Sequence, residues 1–514
     1  MTTHKTDKPL AVLVGAGPGD PGLITADALN WLAQADAVLY DRLANPSFLA
    51  GCRSGAELIY VGKGPGAHAM TQEQINELLV KKTGEGKLVV RLKGGDPLIF
   101  GRGGEEADAL VDAGLPFRIV PGVTAAIAAG ACAGIPLTDR RLASTVTFIT
   151  GHEDPTKDES AINYDALAKL DTLVFYMGVG NLPAIAGRLI SSGRSADTPV
   201  ALVQNATLPN QRTVVATLAT AAEAAEANKV RPPALLIVGN VVRLRQKLAW
   251  KENLPLFGRG VLVTRTREQA SKLTDHLTAC GANVIECPTI EVHPPADFSG
   301  LDKALAEIKS FDWLVLTSPN GVGGLLARMK HLGLDGRNLG AVRIAAVGPA
   351  TADALNENFL HADLMPETFT TQALGKALAG QVPKGSKVLL ARADIATNEL
   401  PDSLRLAGAE VVEAVAYRTV RPAGLPEDAL RALSAGKADW VTFTSSSTAE
   451  NFLALVKDAG VDLAGLKLAS IGPVTTETLV AAGLKPTVEA RKHTIPGLVR
   501  AILESVAGSR RSPA

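Results

Sequence analysis

The sequence predicts an α/β protein that contains more than one domain. In the first half, short β-branched runs such as Leu10–Val14, Val146–Thr150 and Ala234–Val238 alternate with helix-like stretches, which is typical of a largely parallel sheet. The second half contains an internal repeat of about domain size. Because 514 residues are too many for one hydrophobic core, we expect roughly two to four domains.

The repeat is visible as matching motifs at a nearly constant spacing. The motifs recur 127 or 124 positions later: DW at 312 and 439, TS at 317 and 444, and GPxT at 348 and 472. Several matches in register indicate two copies of one α/β unit. Two such copies can bind one ligand in the cleft between them.

Composition and charge limit the partners that the protein can have. Hydrophobic residues make up 46% of the chain, and 52 basic residues balance 52 acidic ones. No long basic run stands out, so nucleic acid is not expected as a partner. A small acidic substrate is compatible with these values, because a local pocket can be positive on a neutral protein.

Three further observations favour a cytoplasmic location. Residues 1–9 are polar, which predicts a flexible N-terminus and no signal peptide. The longest uncharged run, 119–138, contains glycines and prolines, so we interpret it as a buried helix with flanking turns and expect no membrane partner. The four cysteines form no C-x-x-C pair, which indicates free thiols and no metal site.

Three glycine-rich segments follow predicted strands in the first half. They are Gly15–Gly22, Lys93–Glu105 and Val120–Ala126. Each alone could be an ordinary strand–helix turn, but together they indicate a ligand site at the carboxyl edge of a sheet. The first segment is not a dinucleotide fingerprint, and Asp20 disfavours a phosphate. A neutral or cationic cofactor is therefore favoured.

These segments carry a family resemblance. Residues 10–248 resemble the tetrapyrrole methylases, specifically uroporphyrinogen-III C-methyltransferases, in the strings VGAGPGDPGLIT, VLYDRL, VGKG, RLKGGDPLIFGRGGEE, VPGVTAA, GIPLTDR and VFYMG. The resemblance implies two α/β subdomains, about 10–136 and 137–248, with S-adenosyl-L-methionine in the cleft between them. It also implies a homodimer formed through this half. The residues that match the family's cofactor contacts are Pro18, Gly94, Gly95, Asp96, Ile99, Thr124, Ala125, Met177 and Ala206.

The same resemblance implies a catalytic pair, Asp41 and Lys63. A positioned carboxylate can act as a general base, because the methylated macrocycle must lose a proton from a neighbouring carbon. Without the family strings, Asp41 would be read as an ion pair with Arg42 or as a helix cap. Arg42 and Arg102 are candidate partners for the substrate's carboxylates, and residues 140 and 141 are further arginines that could serve.

The second half has no catalytic triad and no cofactor loop. Its repeated motifs instead place hydroxyl groups beside glycines at predicted strand ends, where they can bind carboxylates together with free backbone N–H groups at a helix start. Simple N-capping is the alternative, and the two roles are compatible. The substrate-binding candidates are Thr317, Ser318, Thr351, Ser446 and Thr475.

Residues 259–505 resemble uroporphyrinogen-III synthase. The matching strings are VLVTR, DWLVLTSPNGV, AAVGPAT, YRTV, VTFTSSST and SIGPVT. The resemblance implies two flavodoxin-like α/β domains, 259–295 plus 419–505 and 298–416, joined by a two-stranded connector. Residues 249–258 are then a linker and 506–514 a flexible tail. Hydroxymethylbilane would be closed to uroporphyrinogen III with inversion of ring D, and Tyr417 is the candidate to assist departure of hydroxide.

Two alternatives remain open at this point. The first half could methylate a later corrin intermediate, and the second half could be a noncatalytic two-lobed ligand-binding module. A dehydrogenase and chelatase module, which siroheme formation also needs, is not expected, because the sequence has no G-x-G-x-x-G strand–helix unit.

Overall fold

The strands of both halves form open sheets covered by helices. The computed structural model describes residues 9–62, 70–152, 162–265 and 267–511. Within these ranges the strands form four five-stranded sheets. The chain divides into an N-terminal unit, Met1–Arg259 with Thr278–Asn283, and a C-terminal unit, Gly260–Leu277 with Val284–Ala514. The predicted α/β class is confirmed.

The first sheet is parallel throughout, as predicted. Its order is β3-β2-β4-β1-β5. The strands are β1 Leu10–Gly15, β2 Ala37–Tyr40, β3 Glu57–Tyr60, β4 Leu88–Lys93 and β5 Phe117–Val120, and the helices are α1 Ala26–Gln34, α2 Gln72–Gly84, α3 Gly103–Asp112 and α4 Ala125–Ala133. The central strands β1 and β4 are buried on both faces, which explains their continuous apolar runs.

The second sheet corrects the prediction of a largely parallel arrangement. Its strands are β6 Val146–Thr150, β7 Thr172–Tyr176, β8 Pro199–Gln204, β9 Arg212–Thr217 and β10 Ala234–Val238, and its helices are α5 Tyr164–Leu167, α6 Leu182–Ser191, α7 Ala221–Ala227 and α8 Arg245–Leu248. Only β6 and β7 pair in parallel, whereas β7-β10-β8-β9 pair antiparallel. The connection between β8 and β9 is too short for a crossover, so these strands must run antiparallel.

The alanine-rich helix α4 packs on the second sheet. Its buried face, Ala126, Ala129 and Ala133, contacts Val174 and Ile237 of that sheet in one hydrophobic cluster. Small side chains let the helix approach the sheet closely, which accounts for the uncharged run at 119–138. Among the described helices, none combines the length and hydrophobicity that a membrane crossing requires.

Residues 249–258, predicted as a linker, are instead packed into the N-terminal unit. Leu256 is fully buried. The Glu252 carboxylate accepts hydrogen bonds from Gln211 Nε2 at 2.9 Å and from Arg245 at 2.6 Å. The Trp250 indole donates to the carbonyl of Ala131 at 2.9 Å. The polar composition that suggested a linker reflects polar groups with partners inside the fold.

The C-terminal unit contains two sheets of matching order. The strands are β11 Gly260–Val263, β12 Asn283–Glu286, β13 Glu291–His293, β14 Trp313–Leu316, β15 Arg343–Ala346, β16 Lys387–Ala393, β17 Glu410–Val420, β18 Trp440–Phe443, β19 Lys467–Ser470 and β20 Val488–Glu489. One sheet has the order β12-β11-β18-β19-β20 and the other β13-β17-β16-β14-β15. The repeat maps β11, β12, β18 and β19 onto β16, β17, β14 and β15, so the two-copy prediction matches the observed topology.

Helices connect these strands in the same repeated pattern. They are α9 Arg267–Ala279, α10 Ser299–Ala306, α11 Pro319–His331, α12 Pro349–Asn356, α13 Thr371–Ala379, α14 Glu399–Leu406, α15 Glu427–Ser434, α16 Ser446–Ala459, α17 Pro473–Ala481 and α18 Ile495–Arg511. The last helix corrects the predicted flexible tail over residues 506–511, and residues 512–514 lie outside the described residues. It continues through Arg511, because Val506 is buried and extends the apolar face that begins at Leu498.

The chain passes between the two sheets of this unit through an antiparallel strand pair. Glu291 of β13 pairs with Val420 at the end of β17, and His293 pairs with Arg418. The sheet that contains β11 and β12 also contains β18, β19 and β20, so the chain leaves this sheet after β12 and returns to it at β18. Tyr417 lies on β17 beside this pair.

Candidate active sites

The three glycine-rich segments of the N-terminal unit meet at one edge of the first sheet. They follow β1, β4 and β5, which are neighbours in the sheet. Gly17 and Gly95 exchange backbone hydrogen bonds of 3.1 and 2.7 Å. A Cβ atom on Gly122 would lie 2.2 Å from the carbonyl oxygen of Gly95 and 2.8 Å from Cα of Gly15. Only glycine permits this approach, so the backbone itself forms the cradle.

Asp96 fastens two of these segments together. Its Oδ1 accepts a hydrogen bond from the Leu98 backbone N–H at 2.9 Å, and its Oδ2 accepts one from Gly122 at 3.0 Å. Both carboxylate oxygens therefore hold loop backbone. In this arrangement Asp96 orders the cradle, and its predicted contact with the cofactor stays a prediction.

The second subdomain contributes residues to the same place. The Tyr176 hydroxyl lies 2.6 Å from Thr124 Oγ1 and accepts a hydrogen bond from the Ala126 N–H at 3.0 Å. Burial raises the pKa of Tyr176, so the hydroxyl stays protonated at neutral pH. Its ring packs on Phe100, with centroids 4.9 Å apart. Tyr176 thus joins the start of α4 to the end of β7.

Left-handed backbone conformations concentrate around this contact. Phe100, Arg102, Met177, Asn205 and Thr207 have φ values of 52°, 58°, 55°, 50° and 73°. Such conformations are unfavourable for residues with side chains and cluster at functional sites.

A hydrogen-bonded loop from the second subdomain reaches the first glycine segment. The Thr207 hydroxyl accepts from the Asp20 N–H at 3.1 Å and donates to the carbonyl of Pro18 at 3.3 Å. Ala206 precedes this threonine and is half-buried. The loop that contains the predicted cofactor contact Ala206 is therefore hydrogen-bonded to the segment that contains the predicted contact Pro18.

Asp41 lies directly after β2, beside a buried group of charges. Its Oδ1 accepts a hydrogen bond from the Leu43 N–H at 3.0 Å, and its Oδ2 lies 3.5 Å from a guanidinium nitrogen of Arg91. Arg91 and Lys93, both on β4, bind the same oxygen of Glu106 at 3.0 and 2.8 Å. Desolvation lowers the pKa of Lys93.

The predicted basic residues near Asp41 are either exposed or outside the described residues. Lys63 lies outside the described residues. Arg42 is exposed, and Arg102 is exposed and paired with Glu105 at 2.6 Å. Both arginines could still meet a large substrate, because exposed side chains can change partners at little cost.

The C-terminal unit places Tyr417 against Ser318. Their hydroxyl oxygens are 2.9 Å apart, and Ser318 Oγ also accepts from the Gly321 N–H at 3.0 Å, which caps α11. Tyr417 is 9% exposed, and burial raises its pKa. The tyrosine is therefore a neutral proton donor at physiological pH.

Tyr417 also lines a cavity of about 770 Å³. The cavity is bounded by β13 and the following turn, by one face of α11 and by the end of α12. The polar side chains of its lining are His293, Asn320, Arg328, His331, Glu357, Asn358 and Tyr417. This volume is large enough for a substantial small-molecule ligand.

The remaining hydroxyl candidates fall into two groups. Thr317, directly after β14, and Ser446, the first residue of α16, are both half-buried, and Ser446 donates to the carbonyl of Val474 at 3.2 Å. Thr351 and Thr475 are only 2% and 4% exposed. As packed here these two offer almost no surface to a substrate, and their role stays a prediction.

Comparison with known proteins assigns both halves. The family described as Tetrapyrrole (Corrin/Porphyrin) Methylases matches residues 11–222, and the family described as Uroporphyrinogen-III synthase HemD matches residues 271–500. A porphyrin biosynthesis protein HemD from Ruminiclostridium josui is 39% identical over 498 residues, which cover 97% of this chain and 98% of the relative. The chain belongs to the family of fused tetrapyrrole methylases and uroporphyrinogen-III synthases.

Other relatives cover one half each. A siroheme synthase from Azotobacter vinelandii is 57% identical over 241 residues, 47% of this chain and 52% of the relative, so the chain spans about half the length of the siroheme synthases that it matches. The crystal structure of uroporphyrin-III C-methyl transferase from Thermus thermophilus complexed with S-adenyl homocysteine is 42% identical, with a TM-score of 0.40, and the match covers 46% of this chain and 99% of that one.

The two family matches confirm the predicted fusion and make the chain a bifunctional tetrapyrrole biosynthesis enzyme. Local sequence patterns did not mark Arg91, Lys93, Glu106 or Tyr176 as site residues. One signal was present in the methylase half: Arg91 and Lys93 interrupt an otherwise apolar strand. A charge inside a buried strand requires a partner.

Proposed function

We propose that the two halves catalyse consecutive reactions. The synthase half closes hydroxymethylbilane to uroporphyrinogen III with inversion of ring D. The methylase half then transfers two methyl groups from S-adenosyl-L-methionine to that product, which gives precorrin-2. The observation that carries the methylation is the glycine cradle of Gly15, Gly95 and Gly122 beside Asp41.

The described residues fit S-adenosyl-L-methionine. The close packing of Gly15, Gly95 and Gly122 fixes the backbone of the three segments. Pro18, Gly94, Thr124 and Ala125 belong to these segments, and Met177 follows Tyr176, whose hydroxyl contacts Thr124. Bound there, the sulfonium compound supplies an electrophilic methyl group. The surrounding residues fix its direction, and an aligned geometry is the main requirement for direct methyl transfer.

Asp41 acts on the substrate after methyl transfer. A pyrrole carbon forms the new bond to the methyl group while the sulfur–methyl bond breaks and S-adenosylhomocysteine leaves, and the resulting cationic macrocycle releases a proton from a neighbouring carbon. The Asp41 carboxylate accepts that proton as general base. Arg42 and Arg102 pair with acetate or propionate groups of the macrocycle and orient it.

Tyr417 acts in the synthase half. Its protonated hydroxyl donates to the departing hydroxide, which leaves as water when the carbon–oxygen bond of the hydroxymethyl group breaks. The substituted α carbon of the terminal pyrrole then bonds to the methylene carbon that lost the hydroxide, and its bond to the neighbouring bridge carbon breaks. That bridge carbon bonds instead to the free α carbon of the same pyrrole, which inverts the ring, and the proton released there restores Tyr417. Ser318, at 2.9 Å, orients the tyrosine. Because the substrate is intrinsically reactive, orientation of its two ends matters more than strong acid catalysis.

The test supplies hydroxymethylbilane and S-adenosyl-L-methionine to the pure protein. We expect a dimethylated macrocycle of the type III isomer, identified by mass and by isomer-resolving chromatography. Asp41→Ala should stop methylation and leave cyclisation unchanged, because the two reactions use different halves. Formation of the type III isomer without methylation by the wild-type chain would instead favour a later corrin intermediate as the methyl acceptor, and formation of only the type I isomer, which the bilane reaches unaided, would favour a noncatalytic C-terminal half.

A further inference from the structure

A buried ionic network lies behind Asp41 in the methylase half. Arg91 and Lys93 on β4 and Glu106 on α3 are 3%, 4% and 0% exposed. Neither the glycine cradle nor the general-base role of Asp41 requires charges at these positions. Buried charges are unfavourable without partners, so their presence calls for a function.

The network has a definite geometry. Glu106 Oε1 accepts from Arg91 Nε at 3.0 Å and from Lys93 Nζ at 2.8 Å, and Gln72 donates to the same oxygen at 3.3 Å. Among the described residues, Glu106 Oε2 has no hydrogen-bond partner. Within the described part of the chain, only one of the two carboxylate oxygens of Glu106 is thus hydrogen-bonded, and that oxygen contacts both Arg91 and Lys93.

Strand register places the network next to the general base. Tyr40 pairs with Leu92 in the parallel β2–β4 ladder, so Asp41 and Lys93 are the next positions along it. Side chains two residues apart share a face, so Arg91, Lys93 and Asp41 project to the same side of the sheet, where α3 packs. Arg91 spans the gap, with Nε on Glu106 and a terminal nitrogen 3.5 Å from Asp41 Oδ2.

We propose that Arg91, Lys93 and Glu106 are positioning residues that fix the direction and protonation of the Asp41 carboxylate during methyl transfer. This inference rests on the proposed function. Arg91 orients the carboxylate through its planar fork, which Glu106 holds from behind. Lys93 supplies a second positive charge that favours the ionised carboxylate, the form that accepts the proton.

Several charged groups surround Asp41. Arg91 and Lys93 face it from β4 and Glu106 from α3, whereas α2 contributes the neutral Gln72. The exposed charges at the rim are Arg42, Arg102 and Glu105. Desolvation and the positive charge of Arg91 lower the pKa of Lys93, and Glu106 and Asp41 act in the opposite direction.

Two substitutions separate direction from charge. Arg91→Lys keeps the positive charge but cannot bridge Glu106 and Asp41 at once. We expect the kcat of methylation to fall at least about tenfold, with the KM for S-adenosyl-L-methionine within about threefold of wild type and no shift of the pH profile. Lys93→Gln removes one positive charge, which makes protonation of Asp41 easier. The acidic limb of kcat against pH should therefore move to higher pH by about one unit.

A double variant and a matched control complete the experiment. Lys93→Gln with Glu106→Gln restores the net charge of the network, so its acidic limb should return towards wild type. Asp108→Asn, an exposed carboxylate on the same helix α3, should leave kcat and the limb unchanged. Binding of S-adenosylhomocysteine by calorimetry and the cyclisation rate of each protein show whether the variants are folded.

The outcomes are distinguishable. An unshifted acidic limb in Lys93→Gln, or an Arg91→Lys kcat within twofold of wild type, in folded protein would overturn this inference and leave the proposed function intact. A wild-type chain that transfers no methyl group would overturn both. If Arg91→Lys does not fold, the acidic limb of kcat against pH still tests the proposal, because it should shift in Lys93→Gln and return towards wild type in the double variant.

Discussion

The candidate sites of the methylase and synthase halves consist of different kinds of chemical groups. The first brings backbone to backbone at Gly15, Gly95 and Gly122 and keeps a buried ionic network beside it. The second places a neutral pair, Tyr417 and Ser318, at the wall of a cavity. A direct group transfer needs one alignment of three reacting atoms. Closure of a reactive chain needs mainly a shape that brings its ends together, so fewer charges suffice.

The sharpest way to break this comparison is to separate the glycine segments. In Gly122→Ala the new Cβ would lie 2.2 Å from the Gly95 carbonyl oxygen, so the loops must move apart. A displacement near 1 Å at a reacting centre costs on the order of 100-fold in rate, and we expect methylation to fall by that factor. The rate of methyl transfer and the rate of cyclisation are measured in one sample.

The matched control is Gly84→Ala, because a Cβ there meets nothing within 4 Å. It should retain both activities. Cyclisation should also persist in Gly122→Ala, since the substituted residue belongs to the methylase half. A Gly122→Ala protein that methylates at more than half the wild-type rate would show that close packing of the three segments is not required.

The corresponding change in the synthase half should have a smaller effect. Tyr417→Phe removes the proton donor but preserves the ring, and the substrate can still ionise unaided. We expect the rate of type III formation to fall about tenfold, below the range usual for loss of a general acid. The type I isomer should rise as a share of product. Ser318→Ala is the companion variant, and an effect larger than that of Tyr417→Phe would assign the chemistry to the serine instead.

The same tyrosine predicts a dependence of stability on pH. Its pKa in the folded protein is raised by burial. Stabilisation from this group is therefore complete below the unfolded value of about 10 and is lost as pH rises through the folded value. Relative to Tyr417→Phe, the wild-type free energy of unfolding should decline above about pH 10. A constant difference in urea unfolding across that range would contradict a protonated, buried hydroxyl.

Local patterns predicted the features that depend on chain order. Glycine segments after strands indicated one edge of the sheet, and those after β1, β4 and β5 meet there. The repeat predicted two matching sheets, and the topology has them. What local patterns lacked were contacts between distant segments: Tyr176 reaches Thr124 across 52 positions and Arg91 reaches Asp41 across 50. Such pairs follow from strand order and helix packing, which a single sequence specifies only through the whole fold.

The segment 249–258, at the end of the methylase half, also makes distant contacts that local patterns did not predict. The substitution expected to have the smallest effect lies in this segment. The polar segment predicted as a linker contains Glu252, which binds Gln211 at 2.9 Å, and Gln211 Oε1 accepts from the Thr207 N–H at 2.9 Å. Thr207 in turn holds the carbonyl of Pro18. The first glycine segment is therefore supported, through two intermediates, by a residue near the end of the N-terminal unit.

Glu252→Ala should consequently weaken cofactor binding without touching the chemistry. We expect the KM for S-adenosyl-L-methionine to rise about threefold with kcat unchanged, since a support at two removes transmits only part of its contribution of about 1–3 kcal/mol. The melting temperature should also fall, whereas the exposed control Glu223→Gln should change neither the KM nor the melting temperature. Because the cradle itself remains glycine on glycine, the methylase half should tolerate this loss far better than Gly122→Ala. Equal losses in the two variants would mean that the hydrogen-bonded supports, and not the absent Cβ atoms, determine the geometry of the site.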